Sequence, residues 1–457
     1  MEKTLAATVQ QADHARQNEK RVAYATIIGT TIEWYDYFIY AAIAGMVFNQ
    51  IFFQPAGAGM ATLLAFASVG ISFLFRPLGA FLAGHFGDKL GRRAMLVATL
   101  VLMGGSTALI GLLPTYANIG VLAPVMLILL RILQGISAGG EWGGAVLMAV
   151  EHAPTGKRGR FGAFPQLGVP LGLLLSSAML ALMTGVVSPG EAFMEWGWRV
   201  PFLFSIALLF IGHWIRSSVD ESPVFEEIKE RKSASKTPIA QLFKHHAATV
   251  LLAALVFSGT TAVGYMTTGG FIQNYTTDPA GLLRMERTPV LLVVTFSALV
   301  WLTFTWLSGC WSDKFGRRNM YIVGFLVQII GVAALFWLVN MGSIWTVLLA
   351  LVLLSVGVGL TYGVQSVFAS ELFPASIRFS GVSISYALGS IFGGAFSPMI
   401  AAYLIGKTGS TVAVTLYLGA MTVLALLAAL TLRDRSNIPL GPDHEAEQNR
   451  SPLWWKS

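Results

Sequence analysis

The chain is short of charge and nearly devoid of cysteine. Only 12% of its 457 residues are Asp, Glu, Lys or Arg, about half of the roughly 25% that keeps a soluble domain hydrated. That shortage excludes a string of soluble domains, which the length alone would permit. Cys310 is the one cysteine, so an intrachain disulfide and a cysteine metal cluster are excluded. Residues 1–20 are polar and lack the apolar core of a cleavable signal, so none is expected. The sequence has no P-loop, metal-ligand spacing or nucleophile motif. An enzyme, a cofactor and a bound metal are therefore not expected.

Apolar residues are abundant. They make up 55% of the chain, and the mean hydropathy is +0.66. The 48 glycines follow no short period, which suits membrane helices that pack through small residues. A net charge of +7 raises the question of nucleic acid. The basic residues sit in short clusters between apolar stretches without interleaved aromatics, so they read as orientation signals for membrane helices.

A membrane span needs about 20 apolar residues, each rising roughly 1.5 Å. Twelve stretches qualify: 22–49, 60–86, 94–113, 121–150, 160–187, 198–219, 247–275, 289–312, 319–340, 344–371, 377–404 and 411–432. Of the 30 basic residues, 24 fall in the two tails and the loops after the even-numbered spans. The opposite loops hold Arg199, Arg284, Arg287 and Lys407, while Arg76 and Arg131 lie inside spans. The asymmetry predicts cytoplasmic termini. The expected organisation is a tail (1–20), a six-helix bundle (21–219), a cytoplasmic linker (220–246), a second bundle (247–433) and a tail (434–457).

The halves echo each other. Gly84-His-Phe-Gly-Asp88-Lys-Leu-Gly91-Arg92-Arg93 returns as Gly309-Cys-Trp-Ser-Asp313-Lys-Phe-Gly316-Arg317-Arg318, 225 positions later. Glu151, Pro154 and Arg158 return as Glu371, Pro374 and Arg378 at an offset of 220. Two six-span halves that start on the same side are related by an axis along the membrane normal. The predicted fold is all-α, with twelve transmembrane helices in two pseudo-symmetric bundles.

The repeated G-x-x-x-D-x-x-G-R-R segment resembles the signature of the major facilitator superfamily, and Arg131-x-x-Gln134-Gly135 resembles its second motif. Glu33-Trp34-Tyr35-Asp36, Phe75-Arg76-Pro77-Leu78-Gly79, Gly139-Gly-Glu141-Trp142-Gly143-Gly144, Trp196-Gly-Trp198-Arg199-Val-Pro201-Phe202 and Asp220-Glu221-Ser222-Pro223 are similar to the metabolite:proton symporter family. The resemblance runs from about residue 20 to 435. It implies proton-coupled import, in a bacterial inner membrane, of a small metabolite such as shikimate, α-ketoglutarate, citrate, proline or betaine, with the shikimate branch the nearest. Osmosensing members carry a long coiled-coil tail. Here only Ser436–Ser457 follow Arg435, with Pro439, Gly441 and Pro442 and no heptads, which speaks against osmotic gating.

An ionisable group at mid-bilayer costs about 2.5–3.5 kcal/mol and needs a partner or a water-lined cavity. The intramembrane set is Glu33, Asp36, Arg76, Arg131 and Glu141, all in the first half. Glu33 lies 12 residues beyond Arg21, and Arg76 lies 12 before Asp88, so each sits about 18 Å from the same face. Glu33, Asp36, Tyr37 and Tyr40 share one helical face. Glu33, Asp36 and Glu141 are candidates to carry the proton, and Arg76 and Arg131 to meet a carboxylate. Permanent ion pairs that fix helix packing are the alternative for each.

Tyr37, Tyr40, Gln134 and Gln166 in the first half, and Tyr265, Tyr362, Gln365 and Tyr386 in the second, are candidate substrate contacts; satisfied interhelical hydrogen bonds would explain each equally. Asp88, Arg92, Arg93, Asp313, Arg317 and Arg318 could be simple charge anchors. Anchoring does not require glycine at fixed spacing, and the resemblance implies that they gate access together with Glu151, Arg158, Glu371 and Arg378. The expected partners are protons, a small organic acid and the bilayer, with the monomer as the working unit. Rival readings are a zwitterion symporter and a drug:proton antiporter, the latter disfavoured by two buried arginines.

Overall fold

Poly-apolar stretches of this length have one low-energy solution in lipid: helices, whose backbone groups satisfy one another internally. The computed structural model describes residues 2–82, 92–154, 156–216, 238–268 and 270–453. Its helices are α1 (Glu2–Ile43), α2 (Ala58–Leu82), α3 (Arg92–Leu112), α4 (Leu122–Glu151), α5 (Arg158–Val187), α6 (Phe193–Ile215), α7 (Pro238–Thr268), α8 (Arg287–Phe315), α9 (Arg317–Val339), α10 (Ile344–Leu372), α11 (Arg378–Thr408) and α12 (Val412–Thr431). Ten of the described helices are long and apolar enough to cross a membrane, and α1 and α3 complete the set of twelve. Among the described residues the only β feature is a bridge between Leu432 and Leu453.

The expected spans and these helices coincide within a few residues at most ends. The exceptions are α7, which begins at Pro238, inside the expected linker, rather than near residue 247, and α1, which begins at Glu2 rather than near residue 22. Its first turns are rich in Ala, Gln, Glu and Lys, good helix formers that prolong a helix beyond the apolar stretch. Within α7 the backbone leaves helical geometry at His246, and Gly270, in the left-handed region, starts the short helix Phe271–Thr277.

The two halves, α1–α6 and α7–α12, meet along α5 against α8, α2 against α11, and α4 against α10 and α11. Missing side chains make the α5–α8 contact possible. A Cβ on Gly309 would lie 2.5 Å from the Ala163 Cβ, and one on Gly159 would lie 2.5 Å from the Gly309 carbonyl oxygen. The outward faces carry apolar residues such as Phe210, Trp214, Trp337, Trp345 and Leu416, as a lipid-facing surface requires. Inside, Trp34, Phe38, Phe48, Trp198 and Phe202 are buried, and Phe48 lies edge-on to Trp198 and stacked against Phe202.

The halves touch on both sides of mid-depth. Away from the termini, Asn274 Nδ2 donates to the Gly45 carbonyl at 2.7 Å, and the Thr184 and Thr288 hydroxyls lie 3.0 Å apart. Toward the termini, the ends of α4, α5, α8, α10 and α11 are joined by charge. The candidate site lies between these two closures.

Candidate functional site

Pro77 shapes the first element of the site. It cannot donate a backbone hydrogen bond, and α2 leaves regular helix at Phe75, two residues before it. Arg76 thus sits at an interruption in mid-span. It is buried, and its guanidinium lies 4.3 Å from the centroid of the Phe73 ring and 5.4 Å from that of Trp34. Its Nε and Nη1 have no hydrogen-bond partner among the described residues. Tyr386, Tyr265, Glu33 and Tyr37 all lie within its electrostatic reach. Leaving guanidinium donors dry and unpaired is costly, which makes Arg76 a candidate to receive an anionic group.

The second half supplies hydroxyls and an amide. The Tyr265, Tyr362 and Tyr386 hydroxyls, the Ser390 hydroxyl and both ends of the Gln365 amide are buried without a hydrogen bond of good geometry among the described residues, and the Tyr386 hydroxyl faces those of Tyr362 and Ser390. Tyr265 packs against the rings of both Tyr37 and Phe73, at 5.7 and 5.4 Å. Tyr362 meets Trp301 edge-on at 5.5 Å.

Arg131 behaves differently. It is fully buried, and it donates from Nε to the Ser68 carbonyl at 3.3 Å and from Nη1 to Gln134 Oε1 at 2.7 Å. Its Nη2 donates to the Val69 carbonyl at 3.0 Å and to the Ser72 hydroxyl at 2.8 Å. The guanidinium also covers the Tyr40 ring at 3.8 Å. Four of its five donors are thus engaged, and its hydrogen bonds go to α2 and Gln134 rather than to a carboxylate. The approach is close because Gly135 and Gly139 face α2: a Cβ on either would lie 2.1 Å from the Ser72 carbonyl oxygen or 1.9 Å from that of Arg76. Gln134 completes the tie by donating to Thr107 at 2.7 Å.

The candidate substrate contacts therefore divide in two. Tyr40 bonds the Ser68 hydroxyl at 2.7 Å, and Arg131 and Gln134 are occupied within the first half. Gln166 bridges the halves, accepting from Trp142 Nε1 at 3.3 Å and donating to the Tyr362 carbonyl at 3.1 Å. Arg76, Tyr265, Tyr362, Gln365 and Tyr386 retain unused polar atoms, and Tyr37 lines the same group.

Of the candidate proton carriers, Asp36 is fully buried, and Oδ1 accepts from the Ser205 hydroxyl of α6 at 2.5 Å while Oδ2 makes no hydrogen bond of good geometry among the described residues. It also faces Thr107 and Glu33. Glu33 is buried and reaches Arg76, Tyr265 and Tyr386 electrostatically. Glu141 is buried in α4, next to Trp142. Among the described residues, no group of three or more His, Cys, Asp and Glu side chains could hold a metal.

The charged cluster near the termini crosses between the halves. Asp313 caps the start of α5, accepting from the Gly159 and Arg160 amides at 2.7 and 2.9 Å. A carboxylate at a helix N-terminus is favoured by the unpaired amides and the helix dipole. Arg158 lies 3.6 Å from Glu371, and Arg378 lies 3.5 Å from Glu151. Arg317 binds Glu371 through Nε and Nη2, both at 3.2 Å, and Asp313 through Nη1 at 2.9 Å. Arg318 instead stays within its own half, donating to the Leu430 carbonyl at 2.7 Å. Asp88 lies outside the described residues, as do the side chains of Arg92 and Arg93.

Several residues here carried no assignment from the sequence. Ser205 and Thr107 flank Asp36 from α6 and α3, which no local pattern foretells. Trp142 stands inside a glycine-rich motif whose spacing marked it without revealing its stacking partner, Tyr386. Asp434, in the tail, accepts from the Arg317 and Arg318 amides. Burial pushes its carboxyl up, but hydrogen bonds from Ser436, Arg318 and Arg317 outweigh this and hold it below the usual carboxylate range. Gly316, with φ near +86°, opens the turn that admits this carboxylate.

Comparison with known proteins agrees with this architecture. The sequence matches the Major Facilitator Superfamily over residues 26–384 and 269–454. It is 40% identical to the inner membrane metabolite transport protein YhjE of Escherichia coli, over 93% of this chain and 97% of that one. It is 39% identical to the shikimate transporter of Escherichia coli (91% and 94% covered) and 34% identical to the ectoine/proline transporter ProP of Corynebacterium glutamicum (91% and 84% covered). The fold superposes on the crystal structure of a D-xylose-proton symporter with a TM-score of 0.72 at 20% identity, covering 92% and 99% of the two chains. The chain belongs to the major facilitator superfamily and is a membrane transporter, not an enzyme.

Proposed function

We propose that the protein is a proton-coupled importer of a small organic acid, working as a monomer in a bacterial inner membrane with both termini cytoplasmic. The observation that carries this reading is Arg76: a buried guanidinium with two unpaired donors, facing hydroxyls from the other half. A guanidinium suits a carboxylate because its planar fork donates two parallel bonds. Arg131 is tied to α2, which leaves a single guanidinium to meet substrate and favours one carboxylate over two. Tyr265, Tyr362, Tyr386 and Gln365 are the contacts to the remainder of the substrate. Tyr37 lines the site, while Tyr40, Arg131, Gln134 and Gln166 position it.

In this mechanism a proton from outside neutralises Glu33 or Asp36, and the anion docks against Arg76. With both in place, the halves rock about the mid-depth site. The termini-side ion pairs of Asp313, Arg158, Glu371, Arg378 and Glu151 then part, and Glu141 offers the proton a step toward the cytoplasm. A monoanion carried with one proton moves no net charge and is driven by the pH gradient alone; a second proton would add about 2.3 kcal/mol per 100 mV.

The test is uptake into proteoliposomes under an inward proton gradient, with shikimate, α-ketoglutarate, citrate and betaine as labelled substrates and a protonophore control. Protonophore-sensitive accumulation of an acid is expected. Accumulation of betaine alone would replace the acid with a zwitterion, the second reading, which the likeness to an ectoine/proline transporter favours. Absence of gradient-driven flux for all four would remove the proposal.

A further inference from the structure

The segment after α12 lies across the termini-side closure, where it makes specific contacts with the ion-pair residues. Arg435 is buried and donates to the carbonyls of Leu372 at 3.3 Å, Gln448 at 3.0 Å, and Arg450. Gln448 is buried, and all the polar capacity of its amide is used. Its Oε1 accepts from the Ala375 amide at 2.8 Å and from Arg378 Nη2 at 3.1 Å, while Nε2 donates to the Pro439 and Gly441 carbonyls at 2.7 and 2.9 Å. The Leu440 carbonyl accepts from Arg378 Nη1 at 3.0 Å. Glu445 holds the Ser376 hydroxyl.

One contact reaches the opposite half. Arg158, at the start of α5, donates to the Ile438 carbonyl at 2.8 Å, closer than its 3.6 Å approach to Glu371. Residues 433–453 therefore hold two arginines of the closure, one on each side of the seam. Opening toward the termini separates α5 from α10 and α11, which breaks the Arg158–Ile438 bond and removes the seam-side partner of Arg378, Glu151.

We infer that residues 433–453 form a strap that holds the termini-side gate closed, with Gln448 as the residue that positions Arg378 for its pairing with Glu151. Without the strap, Arg378 loses two acceptors and Arg158 loses its nearest one, so the closed state weakens relative to the state open toward the termini. The strap acts on the access equilibrium and does not touch substrate.

The test uses the full chain with Cys310→Ser and one reporter cysteine per variant. Ser383→Cys sits in the seam on the termini side, where a Cβ on Gly143 would contact Ser383. Thr184→Cys sits in the opposite closure. Into each background Gln448→Ala is introduced, and, separately, removal of residues 437–457. Labelling by a bulky impermeant maleimide is followed in detergent. The inference expects Gln448→Ala to speed labelling at position 383 by about fivefold, the shift that losing the seam-crossing Arg378–Glu151 hydrogen bond it positions produces at ordinary strength, and truncation, which also takes Ile438 from Arg158, to speed it further. Labelling at position 184 should slow in the same variants, because alternating access ties the two ends together. Faster labelling at both positions would mean general loosening and would overturn the inference. So would unchanged labelling at position 383 in Gln448→Ala, the variant that stays informative if the truncated chain does not fold.

Discussion

The Trp142 indole of α4 lies on the Tyr386 ring of α11, with centroids 3.7 Å apart and planes 13° from parallel. The pair joins the halves, and Tyr386 itself carries one of the hydroxyls of the candidate site and lies within electrostatic reach of Arg76. In the proposed mechanism one residue thus belongs both to the site and to the barrier beside it. An aromatic pair is worth about 0.5–1.5 kcal/mol beyond its buried area. Trp142→Ala also leaves Gln166 Oε1 without its donor. We expect this variant to lose roughly twofold to tenfold in steady-state accumulation, the leak that a barrier weakened by that energy allows. Trp142→Phe keeps a ring in place and should lie between the two. Accumulation by Trp142→Ala equal to that of the parent chain would show that the stack is no part of the barrier.

The two buried arginines should fail in different ways. Arg76→Gln removes a group whose Nε and Nη1 donate to no other described residue, so folding should be kept while substrate affinity falls. Losing a charge-assisted pair in a desolvated site costs about 2–5 kcal/mol, which would take binding beyond detection by calorimetry. Arg131→Gln removes the hydrogen bonds to the Ser68 and Val69 carbonyls, the Ser72 hydroxyl and Gln134 that tie α4 to α2. Each hydrogen bond to a charged group contributes about 1.5–3 kcal/mol, so a large fall in melting temperature is expected. A clear melting loss for Arg76→Gln with no loss for Arg131→Gln would reverse these assignments.

The division between these arginines was not legible in the sequence. Helix rise placed Glu33 and Arg76 at matching depth on antiparallel spans, and the structure brings them within electrostatic reach of each other. The same arithmetic put Arg131 at mid-depth too, since depth depends only on position along one helix. Rotation about the helix axis and the choice of neighbour depend on packing, and Arg131 turned toward the α2 backbone. Asp313 was legible because its motif repeats with fixed glycines, and Gly309 proves to be the close contact that brings α8 against α5. The folded tail was not. Many of its contacts run through backbone carbonyls of Ile438, Pro439, Leu440 and Gly441, which leave no mark on residue type, and the side chains that join them, Arg435, Glu445 and Gln448, stand in no repeated motif.

Close helix contact also explains why the glycines of α4 differ in importance. A Cβ at Gly139 would lie 1.9 Å from the Arg76 carbonyl oxygen, a backbone atom that cannot move aside, whereas nothing lies within 4 Å of a Cβ at Gly144. Gly139→Ala must push α4 off α2 and carry the Arg131 hydrogen bonds with it. Overpacking of this kind costs about 1–3 kcal/mol, occasionally more. Gly139→Ala should therefore lower the melting temperature and the yield of monodisperse protein. Gly144→Ala should match the parent chain in both. Equal behaviour of the two variants would mean that α2 and α4 do not pack at this distance.

Asp36 offers the sharpest test of proton coupling. Its carboxylate is fully buried, accepts one short hydrogen bond from Ser205, faces Thr107, and makes no hydrogen bond of good geometry through Oδ2 among the described residues. Asp36→Asn preserves shape and the bond from Ser205 but can neither gain nor lose a proton. If Asp36 carries the coupled proton, this variant should exchange substrate across the membrane at near-parental rates yet fail to concentrate it under a proton gradient. Ser205→Ala removes one neutral donor to a carboxylate, a change of about 1.5–3 kcal/mol, and should move the pH dependence of uptake without abolishing accumulation. Glu33→Gln separates the two carboxylates. Should it alone lose accumulation while Asp36→Asn keeps it, the proton resides beside Arg76, and Asp36 serves to join α1 to α6. Retention of full accumulation by both single variants would leave neither carboxylate as the carrier and would turn attention to Glu141, the remaining buried acid among the described residues of the first half.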